Sequence, residues 1–428
     1  MQPATPTTPN SAAFSTANPH ALAVILEASQ TRSIIACRDI FDLQGVKLWA
    51  RDQPVSAALQ RKLMDRRLRN PLETCLLAED GVTPQTLTDA LWQLLGSSSP
   101  LAPLLRPCAP RLMQEVTHLP LHPVAQLLLT AGQASRPASF AHAVQAMALA
   151  GGLMIEHGGG TADVRVAMLG GLLHDLGEMY IDPQFGEADA DRTLDFVSYQ
   201  QLVVHPHVGR LLLTQLTNYP ATLARAVGEH HERLDGSGYP HAATREALSP
   251  LGRLLAVVEA TLAVVRSEQP SLARASVALR VVPGEFDLGW IGRIASAARH
   301  EPDLGGRHEP ETLKLRLARL DGGLLAAQAC TAALSANGGS APLKAALDLA
   351  THLLARLRTG WTASGLWCSQ TVAGQDVPEV DAIERELSFR LHAIERAARL
   401  RAGELPAAEG QRLDLLGDAL RSATPVAG

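Results

Sequence analysis

The stretch His230–Pro240, HHERLDGSGYP, lies between two apolar segments whose hydrophobic residues recur with helical spacing, Pro220–His231 and Ser249–Val265. Its Asp, Gly, Ser and Pro residues are typical of turns, and its glycines allow positive φ angles. The two adjacent histidines stand where the first helix ends, and histidine is the commonest metal ligand. We call residues 230–240 the signature loop. It predicts a helical bundle whose helices carry metal-binding groups.

The helices around the signature loop carry further groups of the same kind. From about Leu121 to His300, one apolar segment with helical period follows another. A histidine or carboxylate on the inner face of a bundle is costly unless it is paired or coordinated. We therefore expect these groups to converge in one cage of nitrogen and oxygen atoms. Its candidate members are His142, His174, Asp175, His205, His230, His231 and Glu259.

The chemistry of these side chains indicates which metals they would bind. Imidazoles and carboxylates suit Fe, Mn, Co or Zn, and the lack of thiols argues against a structural zinc site. One carboxylate flanked by two sets of imidazoles, Asp175, is the arrangement expected for a bridge between two metals. Two metals about 3.5–4 Å apart can stabilise both sides of an in-line phosphoryl displacement. The cluster predicts phosphoester hydrolysis that needs no separate side-chain base.

Each candidate taken alone also has a structural interpretation. A single histidine on an apolar helix face, such as His142, is more often a core residue with its polar atoms satisfied. A His-Asp pair occurs by chance in many sequences. The three glycines Gly158–Gly160 are most simply a helix stop and turn, rather than a phosphate-binding loop. The joint occurrence of the candidates, in this order and with the signature loop, favours the metal site.

Three motifs in order carry a resemblance to a known family. They are His174-Asp175-Leu-Gly, His205-Pro-x-x-Gly209 and the signature loop, and together they resemble the HD-GYP family of the HD phosphohydrolase superfamily. The resemblance covers residues 139–288, roughly a third of the chain. It implies an all-α bundle that holds two, sometimes three, metals. It also implies hydrolysis of cyclic di-GMP to linear pGpG or to GMP.

The resemblance also implies a role for each residue that matches the family's motifs. Asp175 and His174 would be the catalytic residues, and Asp175 would bridge the two metals. Tyr239, Arg253 and Glu178 would lie at the substrate-binding positions. The cofactors would be two divalent metal ions, with Fe or Mn expected first. The first metal would be held by His142, His174, Asp175 and Glu259, and the second by Asp175, His205, His230 and His231.

Four departures from the family pattern bear on activity. Glu178 stands where the family usually has a lysine near the substrate phosphate, so attraction for an anion becomes repulsion. Glu259 replaces the usual Asp ligand and is one methylene longer. The residues 268–271, Glu-Gln-Pro-Ser, replace a basic segment. Ala138 stands where three-metal members have Glu, so we expect two metals.

These departures leave three functions open. The first is a cyclic di-GMP phosphodiesterase. The second is a catalytically weak or inactive HD-GYP domain that acts as a sensor or a protein-interaction module. The third is a phosphohydrolase for a different nucleotide. Because six costly inward polar groups are retained, the first is favoured over the second.

Bulk properties limit the location and the partners of the chain. The net charge of −5 and the pI near 6.3 give no basic surface for long nucleic acid. The first residues lack a basic start with an apolar core, and apolar runs such as Met147–Ile155 are too short to span a bilayer. Five widely spaced cysteines indicate reduced thiols. We expect a cytoplasmic bacterial signalling protein, away from the membrane, with a cyclic dinucleotide as substrate.

The expected fold is mainly α, an all-α HD-type bundle preceded by a small α+β unit and followed by a helical C-terminal region. The predicted boundaries are a disordered tail over 1–18, the α+β regulatory or structural unit and linker over 19–120, the HD-GYP-like domain over 121–300 and the C-terminal helices over 301–428. The C-terminal helices show mixed charge opposite an apolar face, which suits a bundle, a homodimer or a signalling-protein partner.

Overall fold

The computed structural model describes residues 11–185, 196–267, 269–299, 310–366 and 377–422. The described chain is mainly helical with four short strands, which confirms the predicted fold class. It divides into two compact units. The first comprises Met1–Ser97, Leu105–Asp189 and Gln201–Gly228, and the second Ser98–Leu104, Ala190–Gln200 and Glu229–Gly428.

The N-terminal part of the first unit is a small α+β arrangement. Two strands predicted around a Gln-Gly turn are present as an antiparallel pair, β2 with β3. Strand β1 pairs instead with β4, more than forty residues away, which local pattern did not predict. The predicted helix over 55–69 is shorter. The elements are α1 Pro19–Ala28, β1 Ile34–Ala36, β2 Ile40–Phe41, β3 Lys47–Trp49, α2 Ala57–Leu63, β4 Leu76–Ala78 and α3 Pro84–Gly96.

The segment before α1 is ordered from residue 11, although its composition predicts a disordered tail over 1–18. Ser11–Phe14 form a turn of 3-10 helix, and the Phe14 ring is buried, edge-on to Tyr180 with 5.9 Å between ring centroids. Asn18 caps α1 by accepting two backbone hydrogen bonds. The rest of the predicted tail, residues 1–10, lies outside the described residues.

Helices that follow form the predicted bundle. Helix α7 is apolar on nearly all sides and packs closely on α8, since a Cβ at Gly171 would lie 2.3 Å from the carbonyl oxygen of Ala146. The glycine therefore permits a backbone approach that a side chain would block. The helices are α4 Leu101–Leu105, α5 Ala109–Val116, α6 Pro123–Ser135, α7 Pro137–Glu156, α8 Thr161–Leu173, α9 Phe196–Leu202, α10 His205–Leu216 and α11 Ala221–Glu229.

Two predicted helices are interrupted, each at a candidate ligand. The apolar period that starts near Thr161 predicts a helix through Met179, but the helix ends at Leu173 and a separate 3-10 turn covers Leu176–Tyr180. The period over 198–216 predicts a second helix, which the structure breaks into α9 and α10. Pro206 explains the second break, because it has no amide hydrogen and its ring clashes with the preceding helical turn.

After the signature loop, the described residues of the second unit form three helices and then a C-terminal bundle. A contiguous core of leucines holds the bundle together, with Leu320, Leu347 and Leu391 among its fully buried members. This packing confirms the helices predicted beyond Pro310. The helices are α12 Pro250–Val265, α13 Leu272–Arg280, α14 Leu288–Ala298, α15 Pro310–Ala336, α16 Ala341–Ser364, α17 Val377–Ala402 and α18 Ala407–Ser422.

Candidate metal centre

The His-Asp pair lies immediately after the end of α8. The Nε2 atom of His174 lies 3.0 Å from the Oδ2 atom of Asp175 and 3.0 Å from the Nε2 atom of His142 on α7. The Nε2 atom of His142 lies 3.1 Å from the same Asp175 oxygen. Both histidines are at least 97% buried. Two neighbouring helices thus direct two imidazoles and one carboxylate at a common point.

Backbone carbonyls orient two of the imidazoles. The Nδ1 atom of His174 lies 2.7 Å from the carbonyl oxygen of Gly171, and that of His205 lies 2.8 Å from the carbonyl oxygen of Leu202. An Nδ1–H that donates to a carbonyl leaves the lone pair on Nε2. The Nε2 lone pairs therefore face the carboxylate of Asp175. Electron pairs that face one another at 3 Å repel unless a cation lies between them, as a metal ion would.

The two oxygens of Asp175 face different partners. Oδ2 faces His142 and His174, whereas Oδ1 lies 3.6 Å from the Nε2 atom of His205 at the start of α10. Asp175 has φ −97° and ψ 9°, outside the regular helix, which lets its carboxylate point away from the axis of α8. This geometry suits a carboxylate that contacts two metals.

All seven predicted ligands fall into two groups that share Asp175. Within each group, the donor atoms lie within 4.8 Å of one another. Each group offers four nitrogen or oxygen donor atoms. Such donor sets suit divalent cations such as Fe, Mn or Zn, so the residues fit the predicted metals. The ligand role of each residue stays a prediction. The groups are His142, His174, Asp175 and Glu259, and Asp175, His205, His230 and His231.

Gly177 brings the turn after Asp175 against the start of α10. A Cβ at this position would lie 2.0 Å from the carbonyl oxygen of His205 and 2.8 Å from the amide nitrogen of Gly209. Any side chain would collide with backbone that cannot rotate away. The glycines of the two motifs therefore allow the chain segments that carry Asp175 and His205 to touch.

A buried carboxylate holds the shape of the signature loop. Glu232 is 1% exposed, and its two carboxylate oxygens accept hydrogen bonds from the backbone amides of His241 and Ala243 at 2.7 and 2.8 Å. Burial raises the pKa of Glu232, against the opposing effect of these bonds. Glu232 was not predicted as a functional residue, although its place directly after the histidine pair was a signal.

Tyr239 contacts a candidate metal ligand directly. Its ring stacks on that of His231, with 4.4 Å between centroids and 13° between planes. Asp235 shapes the turn before it, since its Oδ1 atom accepts bonds from the amide and the hydroxyl of Ser237. The contact gives Tyr239 a role in orienting His231, and its predicted contact with substrate stays a prediction.

Arg253 is engaged with protein groups. Its guanidinium lies 3.5 Å from the carboxylate of Asp287 and donates a 2.6 Å bond to the carbonyl oxygen of Arg245. Arg253 therefore forms an ion pair in the structure, and its predicted contact with substrate stays a prediction.

Glu178 is buried beside a cation. It is 6% exposed, and its charge acts on the guanidinium of Arg136, at the junction of α6 and α7. Burial lowers the pKa of Arg136, and the Glu178 charge partly offsets that effect. The carboxylate of Glu178 therefore acts on a protein cation, and its predicted repulsion of an anionic substrate stays a prediction.

Two further departures from the family pattern are at Ala138 and at residues 268–271. Ala138 is exposed in the first turn of α7 and supplies no ligand atom. Glu268, which begins the segment that replaces the family's basic residues, lies outside the described residues.

The N-terminal part of the first unit contacts the turn that follows Asp175. The hydroxyl of Tyr180 donates a 2.6 Å hydrogen bond to the carboxylate of Glu73. The side-chain amide of Asn18 donates a hydrogen bond to the backbone carbonyl oxygen of Tyr180. Burial raises the pKa of Glu73, and it raises that of Tyr180 well above its ordinary value, with the Glu73 charge adding to it. No local pattern in the sequence indicated this pair.

The apolar run over 147–155 was predicted to be too short to span a bilayer, but α7, the described helix that contains it, is long and apolar enough to do so by length and composition. Two thirds of the apolar stretch of α7 is buried inside the protein, and the helix carries the candidate ligand His142, as expected of a core helix.

Comparison with protein families places the site in a known domain. Residues 127–285 match the family model described as HD domain, and these residues include all seven candidate ligands. The middle of this chain therefore matches the HD domain family model, and the predicted resemblance is confirmed.

Two curated relatives are phosphodiesterases. The cyclic di-GMP phosphodiesterase PA4108 of Pseudomonas aeruginosa is 28% identical over 194 residues, which make up 45% of this chain and 42% of the relative. The 3′3′-cGAMP-specific phosphodiesterase 3 of Vibrio cholerae is 31% identical over 88 residues, 21% of this chain and 18% of the relative. The matches thus span less than half of either relative.

A solved structure is also similar. Bd1817, an HDG"Y"P protein from Bdellovibrio bacteriovorus, has 14% sequence identity and a TM-score of 0.36, over 64% of this chain and 97% of that one.

Proposed function

We propose that this chain is a dinuclear-metal phosphodiesterase that hydrolyses cyclic di-GMP to pGpG or GMP in bacterial second-messenger signalling in the cytoplasm. The observation that supports it most is the pair of four-residue groups that share Asp175. A site of this composition, with one carboxylate common to both halves, suits two cations better than one.

The residues have separate tasks in this proposal. When bound, two divalent ions would supply the positive charge that activates water and stabilises the leaving oxygen. Asp175 holds its two oxygens toward different sets of imidazoles. The carbonyls of Gly171 and Leu202 keep His174 and His205 in the tautomer whose Nε2 accepts a cation. Tyr239 limits rotation of the His231 ring by stacking on it.

The relatives support a cyclic dinucleotide as substrate. Two proteins similar to part of this chain are named for cyclic di-GMP and for 3′3′-cGAMP. Glu178 and the engagement of Arg253 with Asp287 favour a second candidate, hydrolysis of a different nucleotide, because both reduce the positive charge available to phosphate.

The first experiment measures the metal content of the chain together with its rate of nucleotide hydrolysis. The full chain would be purified without oxygen, supplied with Mn²⁺ or Fe²⁺, and assayed against cyclic di-GMP, 3′3′-cGAMP and linear pGpG. We expect two metals per chain and hydrolysis of cyclic di-GMP. If the chain binds metal but hydrolyses only one of the other nucleotides, that nucleotide replaces cyclic di-GMP as the proposed substrate. Metal without hydrolysis would favour the sensor, and no metal would contradict the proposal.

Glu178→Gln is expected to raise kcat/KM for cyclic di-GMP about 5- to 10-fold, because it removes a carboxylate from the substrate-binding position at constant shape. Glutamine is preferred to lysine because the charge of Arg136 already acts there. Steady-state kinetics would measure the change. Glu27→Gln is the matched control, since the Glu27 charge also acts on Arg136 from α1, away from the ligands. Equal effects in the two variants would contradict a role specific to Glu178.

A further inference from the structure

We propose that helix α17 of the C-terminal bundle is a positioning element for the signature loop, and that Arg390 is its principal residue. The inference rests on the proposed metal centre, because the signature loop carries His230 and His231. It extends the site beyond the HD segment, since Arg390 lies 105 positions after Glu285, where the family match ends.

Arg390 is a half-buried cation that joins three segments. Its Nε atom donates to the carboxylate of Glu285 at 2.8 Å, and its Nη2 atom donates to the carbonyl oxygen of Ala278 on α13 at 2.7 Å. Nη1 pairs with Glu386 on α17 itself. Its side chain is 15% exposed and that of Glu285 is 8% exposed, so water screens the pair little. The planar guanidinium therefore fixes both the carboxylate and the end of α13.

Glu285 also contacts the signature loop, so it connects Arg390 with that loop. Its backbone carbonyl accepts a 2.9 Å hydrogen bond from the amide of Leu234, three residues after His231. Its carboxylate also lies 3.9 Å from the guanidinium of Arg233, which stacks on Phe286 at 4.7 Å. The signature loop is thus attached on its backbone and on a side chain to the residue that Arg390 holds.

A second set of contacts from α17 reaches the same ligand through aromatic rings. Arg396 lies over the ring of Tyr199, 4.7 Å from its centroid. The Tyr199 ring meets the edge of Tyr239 at 5.9 Å, and Tyr239 stacks on His231. Two arginines two turns apart on one helix therefore reach the signature loop by separate routes, which a helix that only fills the bundle core would not need.

The test compares two ion pairs of α17. Arg390→Met removes the pair with Glu285, whereas Arg316→Met removes the pair that joins α15 to Asp381 and Glu384 inside the bundle. Co²⁺ would be titrated into the full-length proteins, with binding followed by calorimetry and the visible spectrum as a report of coordination geometry. We expect Arg390→Met to bind the more weakly held Co²⁺ about 10- to 100-fold less tightly, with a changed spectrum.

Arg316→Met is expected to lower the melting temperature but to change Co²⁺ affinity by less than about twofold. Arg390→Lys, which keeps the charge but not the fork of donors, should restore part of the affinity, and it decides the matter if Arg390→Met does not fold. Affinity equal to wild type in the Arg390 variants, or equal losses in Arg316→Met, would overturn the inference. No Co²⁺ binding by the wild-type chain would instead contradict the proposed metal centre.

Discussion

Asp175→Ala is expected to abolish binding of both metal ions and to lower turnover of cyclic di-GMP by ~1,000-fold or more. The physical reason is that each oxygen of Asp175 faces a different set of imidazoles, so its loss removes an anionic donor from both groups at once. Elemental analysis of the purified variant and steady-state kinetics would measure the two effects.

Asp182→Ala is the matched control for this variant. Asp182 lies seven residues further on and accepts hydrogen bonds from Gln184, outside the ligand groups. We expect it to keep two metals and most of the activity. If Asp175→Ala also kept two metals, the assignment of Asp175 as the shared ligand would be wrong.

Gly177→Ala is expected to destabilise the fold by about 3 kcal/mol or more and to weaken metal binding. Its new Cβ would lie 2.0 Å from the carbonyl oxygen of His205, so the turn after Asp175 and the start of α10 must separate. That separation would draw Asp175 and His205 apart, and the metal that they share would be held less tightly. Denaturant unfolding and metal content would report the two effects.

Gly132→Ala provides the contrast, because a Cβ built there meets no heavy atom within 4 Å. Gly132 lies inside α6, where alanine is favoured over glycine, so this variant should be more stable by about 0.5–1 kcal/mol. A stability of Gly177→Ala close to that of the wild-type chain would show that the two backbones can move apart at little cost.

The candidate ligands could be picked out from the sequence because their signals are local. Each candidate stands in or beside an apolar helix with a clear period, and the signature loop is long enough to be specific. Pro206 also marks the break between α9 and α10, although the apolar period on both sides concealed it. The positions of histidine and aspartate along the chain thus carried most of the information about the centre.

What the sequence could not predict depends on pairs of residues far apart in the chain. Strand β1 pairs with β4, which lies more than forty residues later in the chain, and each of the two strands is only three residues long. Arg390 is one of several arginines on an amphipathic helix, and nothing in its neighbours distinguishes it from a solvent-exposed charge. Its partner Glu285 is set by tertiary packing, which the period of α17 does not encode.

The hydrogen bond between Tyr180 and Glu73 bears on how the HD segment can be inherited and recombined. The family match covers residues 127–285, yet Tyr180 within it is hydrogen-bonded to a carboxylate 107 positions earlier. Excision of that segment would expose Tyr180 and remove the partners Phe14, Asn18 and Glu73 together. The segment that matches the family model therefore leaves out residues that pack against Tyr180, and an exchange of N-terminal regions between homologues must carry compatible partners for it.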